Sequence, residues 1–151
     1  VKLEDPMMVD TVTAIREQLG DRVVVLEGWG GLYMLEGIAA GIGGIMPGAA
    51  IADLLDRVFT DAHSGDPTSA YDLFGSLLPY INFSLQNFEL FLQMEKRVLV
   101  RRGFIESPTV RSPSRTLSST ESEYVDFLIA QLERNANMKS PGIEWIGTGV
   151  S

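Results

Sequence analysis

The residue best suited to covalent chemistry in this sequence is Lys2, which stands between Val1 and Leu3 in a segment with the composition of a strand. We expect this strand to be buried, and a buried ammonium is unfavourable unless it is paired or loses its proton. A deprotonated lysine is a nucleophile toward carbonyl carbon. The alternatives are a structural ion pair, or a lysine at a frayed end that extends its amine into solvent. Position alone therefore makes Lys2 only a candidate.

Two further strand-like segments come after the Lys2 strand, and each is followed closely by glycine. Residues 22–26 contain a β-branched run typical of a parallel strand buried on both faces, and Glu-Gly-Trp-Gly-Gly comes next at 27–31. The third segment, residues 43–46, ends at Pro47-Gly48. Gly28 is either an ordinary turn residue or a position where a ligand approaches bare backbone near a helix start. The order of elements predicts parallel α/β architecture in the first half.

Helices are predicted between these strands and throughout the second half. The first spans residues 5–19, with Asp5 as cap acceptor and Pro6 in its first turn, and stops at Gly20. The second spans residues 32–40. The third, residues 50–62, has the clearest helical period, with an apolar stripe of Ile51, Leu54, Leu55, Val58, Phe59 and Ala62.

Three more helices are predicted after residue 63. One starts at Asp66-Pro67, buries Phe74 and its neighbours and is kinked at Pro79; another spans about residues 88–102. Residues 107–116 are predicted to be a loop. The last helix is capped by Ser118 or Thr120, each with a glutamate three residues later. Its predicted buried face is Tyr124, Phe127, Leu128 and Leu132.

Composition excludes several classes of function. The chain has 151 residues and is 45% hydrophobic, enough for one domain with a real core. A net charge of −8 argues against nucleic-acid binding, and the sequence has no apolar run of membrane-spanning length. The lack of cysteine excludes disulfides, thiolate nucleophiles and Cys-ligated metals. His63 is better explained as a solvated helix end than as a metal ligand. We expect a cytoplasmic protein without cofactor or metal.

Several segments, taken in order, resemble the C-terminal half of the dihydrodipicolinate synthase / N-acetylneuraminate lyase family. The likeness extends from Val1 to about Asn135. The segments are Val-Lys-Leu-Glu-Asp at 1–5, Leu-Glu-Gly-Trp-Gly-Gly at 26–31, Gly-Gly-Ile-Met-Pro-Gly at 43–48, Gly-Asp at 65–66, Leu-Leu-Pro at 77–79 and Arg-Arg-Gly at 101–103. The resemblance implies a (β/α)8 TIM barrel of which this chain carries the last three βα units. Residues 1–62 would be barrel, 63–137 a C-terminal helical region and 138–151 a tail that is loose or docked on a neighbour.

The resemblance also implies roles for three residues. Lys2 would be the Schiff-base lysine that condenses with the carbonyl of a 2-oxo acid. Gly28 would be the pocket glycine after strand seven, and Ile45 the strand-eight residue whose backbone carbonyl faces the reaction centre. The side chain of Ile45 is expected in the core.

The reaction is left open between related chemistries. The Trp29-Gly30 and Met46-Pro47 segments resemble those of members that act on 2-oxo-3-deoxy sugar acids, as aldolases or dehydratases, more than those of synthases that condense pyruvate with aspartate semialdehyde. The family's tyrosine proton relay, carboxylate-gripping arginine region and strand-two hydroxyl residues are missing from this sequence. We therefore expect the chain to be part of a longer protein, and the resemblance implies a homo-oligomer. A non-catalytic fragment or structural paralogue is the alternative.

Overall fold

Three short parallel strands and six α-helices make up the computed structural model, which describes residues 1–136 and 138. In chain order the elements are β1 (Lys2–Leu3), α1 (Met8–Leu19), β2 (Leu26–Glu27), α2 (Met34–Ala40), β3 (Gly44–Ile45), α3 (Ala52–Ser64), α4 (Pro67–Ser84), α5 (Phe88–Arg101) and α6 (Ser119–Asn135). The strand order is β1-β2-β3, all parallel, with Lys2 opposite Leu26 and Leu26 opposite Gly44. The α/β first half and the helical second half are as predicted.

The second strand lies further along the chain than the valine run suggested. Residues 20–22 form a 3₁₀ turn, and Val24 is 59% exposed, so a strand at 22–26 buried on both faces was wrong. The position of β2 is set instead by its hydrogen bonds to β1. The N–H of Leu26 donates to the carbonyl oxygen of Val1, and the N–H of Gly28 donates to the carbonyl oxygen of Leu3. β-branched residues favour extended backbone, but neighbouring strands decide which residues join the sheet.

The helices of the first half begin and end where local chemistry allows. α1 starts at Met8 rather than residue 5, because Asp5 accepts hydrogen bonds from the N–H of Met7 and the hydroxyl of Thr11 and so holds the preceding turn. It ends at Gly20, which has φ +58°. The predicted third helix is split into a 3₁₀ turn, Ala49–Ile51, followed by α3.

Two helices of the second half, α4 and α6, have the predicted caps. Asp66 accepts from the N–H of Ser69 at the start of α4, which is continuous through Pro79, and Ser118 and Glu121 form a reciprocal capping box on α6. The predicted face of α6 was partly wrong. Tyr124 and Phe127 are 43% and 54% exposed, and the buried residues are Val125, Leu128, Ile129 and Leu132. Tyr124 instead packs edge-on against Phe83 at the rim of the core.

The larger hydrophobic core joins the first half to the second. It includes Leu54, Leu55 and Val58 of α3 together with buried side chains of α4, α5 and α6. A smaller cluster, Met8, Val12, Val25 and Ile42, lies between the sheet and α1. No helix among the described residues is long and apolar enough to cross a membrane.

An ion pair between a buried arginine and a partly exposed aspartate links the end of α5 to α3. Arg102, with its side chain 2% exposed, binds both carboxylate oxygens of Asp53 at 2.6 and 2.7 Å and the carbonyl oxygen of Ala50 at 2.5 Å. The guanidinium also lies 5.1 Å from the ring centroid of Phe104. A planar guanidinium makes such a bidentate contact with little loss of rotamer freedom. The helical region is therefore fixed to the turn that comes after β3.

Candidate active site

A cavity of about 440 Å³ opens where the three strands end. Lys2 and Glu4 line it at the end of β1, residues 28–30 line it after β2, and residues 46–48 line it after β3. The carboxyl ends of parallel strands meet at one edge of a sheet, so residues far apart in sequence converge there. The structure thus brings Lys2 and Gly28 into one cavity.

The amine of Lys2 is exposed to the cavity rather than buried in the sheet. The side chain is 46% exposed, which corrects the expectation of a buried lysine, and Nζ lies 2.5 Å from Oε1 of Glu4. The strand is only two residues long, and the side chain leaves the sheet at its open end. Glu4 places a proton acceptor within hydrogen-bond reach of the amine. The pair has the components of an amine nucleophile and an adjacent acid–base group.

Gly28 is in direct contact with the lysine. A Cβ at this position would lie 2.7 Å from Cε of Lys2, 2.8 Å from Cγ of Glu4 and 2.9 Å from the carbonyl oxygen of Leu3. No side chain fits there without moving its neighbours. The absence of a side chain at Gly28 therefore lets Lys2 occupy its position beside the loop.

Ile45 is placed differently from the other two predicted residues. Its side chain packs against both hydrophobic clusters, as expected for a core position, and it does not line the cavity with Lys2. The wall after β3 comes from the next residues, Met46, Pro47 and Gly48. The role of the Ile45 carbonyl stays a prediction.

A buried carboxylate that sequence reasoning missed holds the loop after β2. Glu27 is fully buried, and its two oxygens accept hydrogen bonds from the N–H groups of Trp29 and Gly31, each at 2.8 Å. Burial raises the pKa of this carboxyl, while the backbone hydrogen bonds oppose the rise. The available signal was a carboxylate that directly precedes the glycines in a strand otherwise rich in aliphatic residues.

A second missed carboxylate, Glu95 of α5, holds the turn after β3. Its oxygens accept hydrogen bonds from the N–H of Ala50 at 2.9 Å and the hydroxyl of Tyr80 at 3.3 Å. Burial raises the pKa of Glu95, and burial together with the Glu95 charge raises that of Tyr80. A Cβ on Gly48 would collide with the Glu95 carboxylate. Helical period alone did not identify Glu95, because the side chain reaches the site only through tertiary packing.

The far wall of the cavity is apolar and comes from the helical region. It consists of Leu85, Phe88 and Phe91, together with Asn87, whose side chain accepts from the N–H of Leu90 and caps α5. Trp29 and Met46 face the same space. The amine thus lies in a site with an ionic end and an apolar end.

His63 is not part of this site. It lies at the exposed C-terminal end of α3, where its ring stacks on Phe59 at 4.3 Å and Nδ1 lies 2.8 Å from the carbonyl oxygen of the same residue. Within residues 1–136, no group of three or more acidic or histidine side chains is arranged to hold a metal ion.

The chain is similar to part of larger solved structures. The chain is 30% identical to a dihydrodipicolinate synthase from Rhodopseudomonas palustris, with a TM-score of 0.77 over 87% of this chain and 44% of that one. It also matches, at 19% identity and a TM-score of 0.73, a 4-hydroxy-tetrahydrodipicolinate synthase from Methylacidiphilum fumariolicum, over 91% of this chain and 45% of that one. The second likeness concerns the fold alone.

These matches extend over only part of each solved structure. The chain spans less than half the length of either one. No protein-family model matches the sequence, and no curated protein matches it at a significant level.

Proposed function

We propose that this chain, which matches part of a dihydrodipicolinate synthase-family protein, supplies the imine-forming lysine of a lyase that acts on a 2-oxo acid. The observation that carries the proposal is the juxtaposition of Lys2, Glu4 and Gly28 in one cavity at the strand ends. By the resemblance, the chain corresponds to the C-terminal half of a (β/α)8 barrel and its helical region. The upstream βα units of such a barrel would pair with the strand edges and close the site.

The chemistry uses the amine and its neighbouring carboxylate. The neutral amine of Lys2 attacks the keto carbon of the substrate, and loss of water from the carbinolamine gives a protonated imine. The iminium withdraws electrons from the adjacent carbon, so a C–C bond can break or form, or a β-hydroxyl can leave, through an enamine. Glu4, 2.5 Å from Nζ, is placed to receive the proton that the ammonium must lose before attack.

Two substrate classes are supported by different observations. The Trp29-Gly30 and Met46-Pro47 segments resemble those of family members that act on 2-oxo-3-deoxy sugar acids, which favours an aldolase or dehydratase. The 30%-identical solved structure described as a dihydrodipicolinate synthase favours a 4-hydroxy-tetrahydrodipicolinate synthase-type condensation. Both classes form the same kind of imine, so pyruvate is a suitable common probe.

The direct test is to trap the imine on the complete polypeptide that contains this segment. Incubation with pyruvate and borohydride should add the mass of one reduced pyruvate to the peptide that carries Lys2. Lys2→Arg keeps the charge beside Glu4 but forms no stable imine, so it should abolish the adduct. Lys96→Arg is the matched control, because Lys96 donates to the carbonyl oxygen of Thr109, away from the cavity. An unmodified Lys2 peptide in the parent protein would favour a non-catalytic paralogue.

Assembly forms part of the proposal. Among the described residues, β1 and β3 are the edge strands of the three-stranded sheet, and an edge strand presents backbone groups that further strands can satisfy. We expect the complete protein to be a homo-oligomer and the 151-residue chain alone to associate through these edges. Light scattering at micromolar concentration checks both, and a cooperatively folded monomer of the 151-residue chain would contradict the half-barrel interpretation.

A further inference from the structure

Two buried carboxylates lie behind the cavity without lining it. Glu27 comes from β2 and Glu95 from α5, and neither is within the group of Lys2, Glu4 and Gly28 that the chemistry uses. A buried carboxylate is unfavourable unless several hydrogen-bond donors face it. In both cases the donors include backbone N–H groups of a segment that forms a cavity wall.

Glu27 fixes the shape of the glycine-rich loop. Its oxygens accept from Trp29 and Gly31, the residues on either side of Gly30. Gly30 and Gly31 have φ angles of +66° and +93°, so this loop takes a path that L-residues rarely adopt. The N–H of Trp29 bonds to Oε1 and the N–H of Gly31 bonds to Oε2, so this arrangement uses one acceptor oxygen for each N–H group.

Glu95 fixes the turn after β3 from the opposite side. Its Oε2 accepts from the N–H of Ala50, while Arg102 binds the carbonyl oxygen of the same residue. Both polar backbone groups of Ala50 are thus held by side chains from α5 and from the residue after it. Because Gly48 has no side chain, the carboxylate lies directly against the cavity wall.

We propose that Glu27 and Glu95 are positioning residues, which hold residues 28–31 and 46–50 in the conformation that forms two walls of the cavity beside Lys2. The kinetic consequence rests on the proposed function; the structural consequence does not. Glutamine has the same shape as glutamate but only one acceptor oxygen. Glu27→Gln therefore leaves one of the two loop N–H groups facing an amide that cannot accept from it.

The experiment compares Glu27→Gln with Glu95→Met, which keeps the length of the side chain but removes both acceptor oxygens, in the complete polypeptide; the exposed Glu123→Gln is the control. Amide exchange is measured at Trp29, Gly31 and Ala50, and imine formation is measured as the rate of the borohydride-trapped pyruvate adduct. Glu27→Gln should accelerate exchange about tenfold at Trp29 or Gly31 and leave exchange at Ala50 unchanged. Glu95→Met should accelerate exchange about tenfold at Ala50 and leave exchange at Trp29 and Gly31 unchanged. Each should slow adduct formation about tenfold, and Glu123→Gln should change nothing.

The site-specific pattern of exchange separates positioning from general destabilisation. The inference would be overturned if amide exchange in the variants stayed at the parent rate at Trp29, Gly31 and Ala50. It would also be overturned if exchange at these three amides and at the amides of α1 accelerated by the same factor. Adduct formation at the parent rate in both variants would also overturn it. If the parent protein forms no adduct, the proposed function fails on its own, and the exchange pattern still decides whether these carboxylates hold the loops.

Discussion

Gly28→Ala is the smallest change that tests whether the geometry beside Lys2 matters. The new methyl carbon would lie 2.7 Å from Cε of Lys2, whereas an unstrained contact between carbon atoms is about 3.5 Å or more. The lysine side chain must therefore move by about 1 Å to accept it. Lys2 and Glu4 are 46% and 55% exposed, so both have room to move away from the loop.

The two consequences of this substitution differ in size. The carbonyl oxygen of Leu3, 2.9 Å from the added carbon, belongs to the β1–β2 ladder and yields only by a few tenths of an ångström. We expect a loss of about 1–2 kcal/mol in the free energy of unfolding, within the range of overpacked sites. A displacement of about 1 Å at a reacting group lowers the rate by about 100-fold. The activity should thus fall far more than the stability, and Gly28→Val should be more severe on both.

The assay measures pyruvate adduct formation at Lys2 and urea unfolding of the same preparations. Gly75→Ala is the matched control, because a Cβ at that exposed position in α4 would have no atom within 4 Å apart from its chain neighbours and the nearby backbone of its own helix. It should stabilise the protein by about 0.5–1 kcal/mol and leave the adduct rate unchanged. A Gly28→Ala protein with the parent rate of adduct formation would refute the reasoning and return Gly28 to the status of a turn residue.

Two further predictions concern stability. Arg102→Met removes the bidentate contact with Asp53 and the donor to the carbonyl oxygen of Ala50. Because Asp53 is 55% exposed and can be rehydrated, we expect the free energy of unfolding, measured with urea, to fall by about 2–3 kcal/mol. A fall of less than about 0.5 kcal/mol would contradict the role of this pair. Hydrogen bonds from Arg115 lower the pKa of Glu121 from 4.5 to about 2, so its stabilising effect is present above pH 4.5 and is lost as the pH falls toward 2. Glu121→Gln should therefore lower Tm at neutral pH and converge with the parent protein near pH 2, whereas parallel curves would exclude this linkage.

The sequence was most informative where a local rule decides the structure. Gly20, Asp66 and Ser118 mark helix ends that the structure confirms, because capping depends on the few residues next to it. The phase of α6 and the position of β2 depend on partners elsewhere in the chain. Tyr124 is amphipathic and lies at a rim, and Val24 has no strand opposite it among the three that the structure describes. Hydrophobicity alone does not distinguish these positions from core.

The same distinction explains which part of the candidate site was predictable. Lys2 and Gly28 belong to segments whose residue order resembles a family, so both could be named before their contact was known. Glu95 had no such signal, since on α5 it looks like one of many helical glutamates, and only packing turns it toward Ala50. Phe88 and Phe91 of the same helix form the apolar wall of the cavity. The helical region therefore shapes the site on two sides, which means that substitutions on α5 should alter imine formation even though every candidate reacting group lies at the sheet.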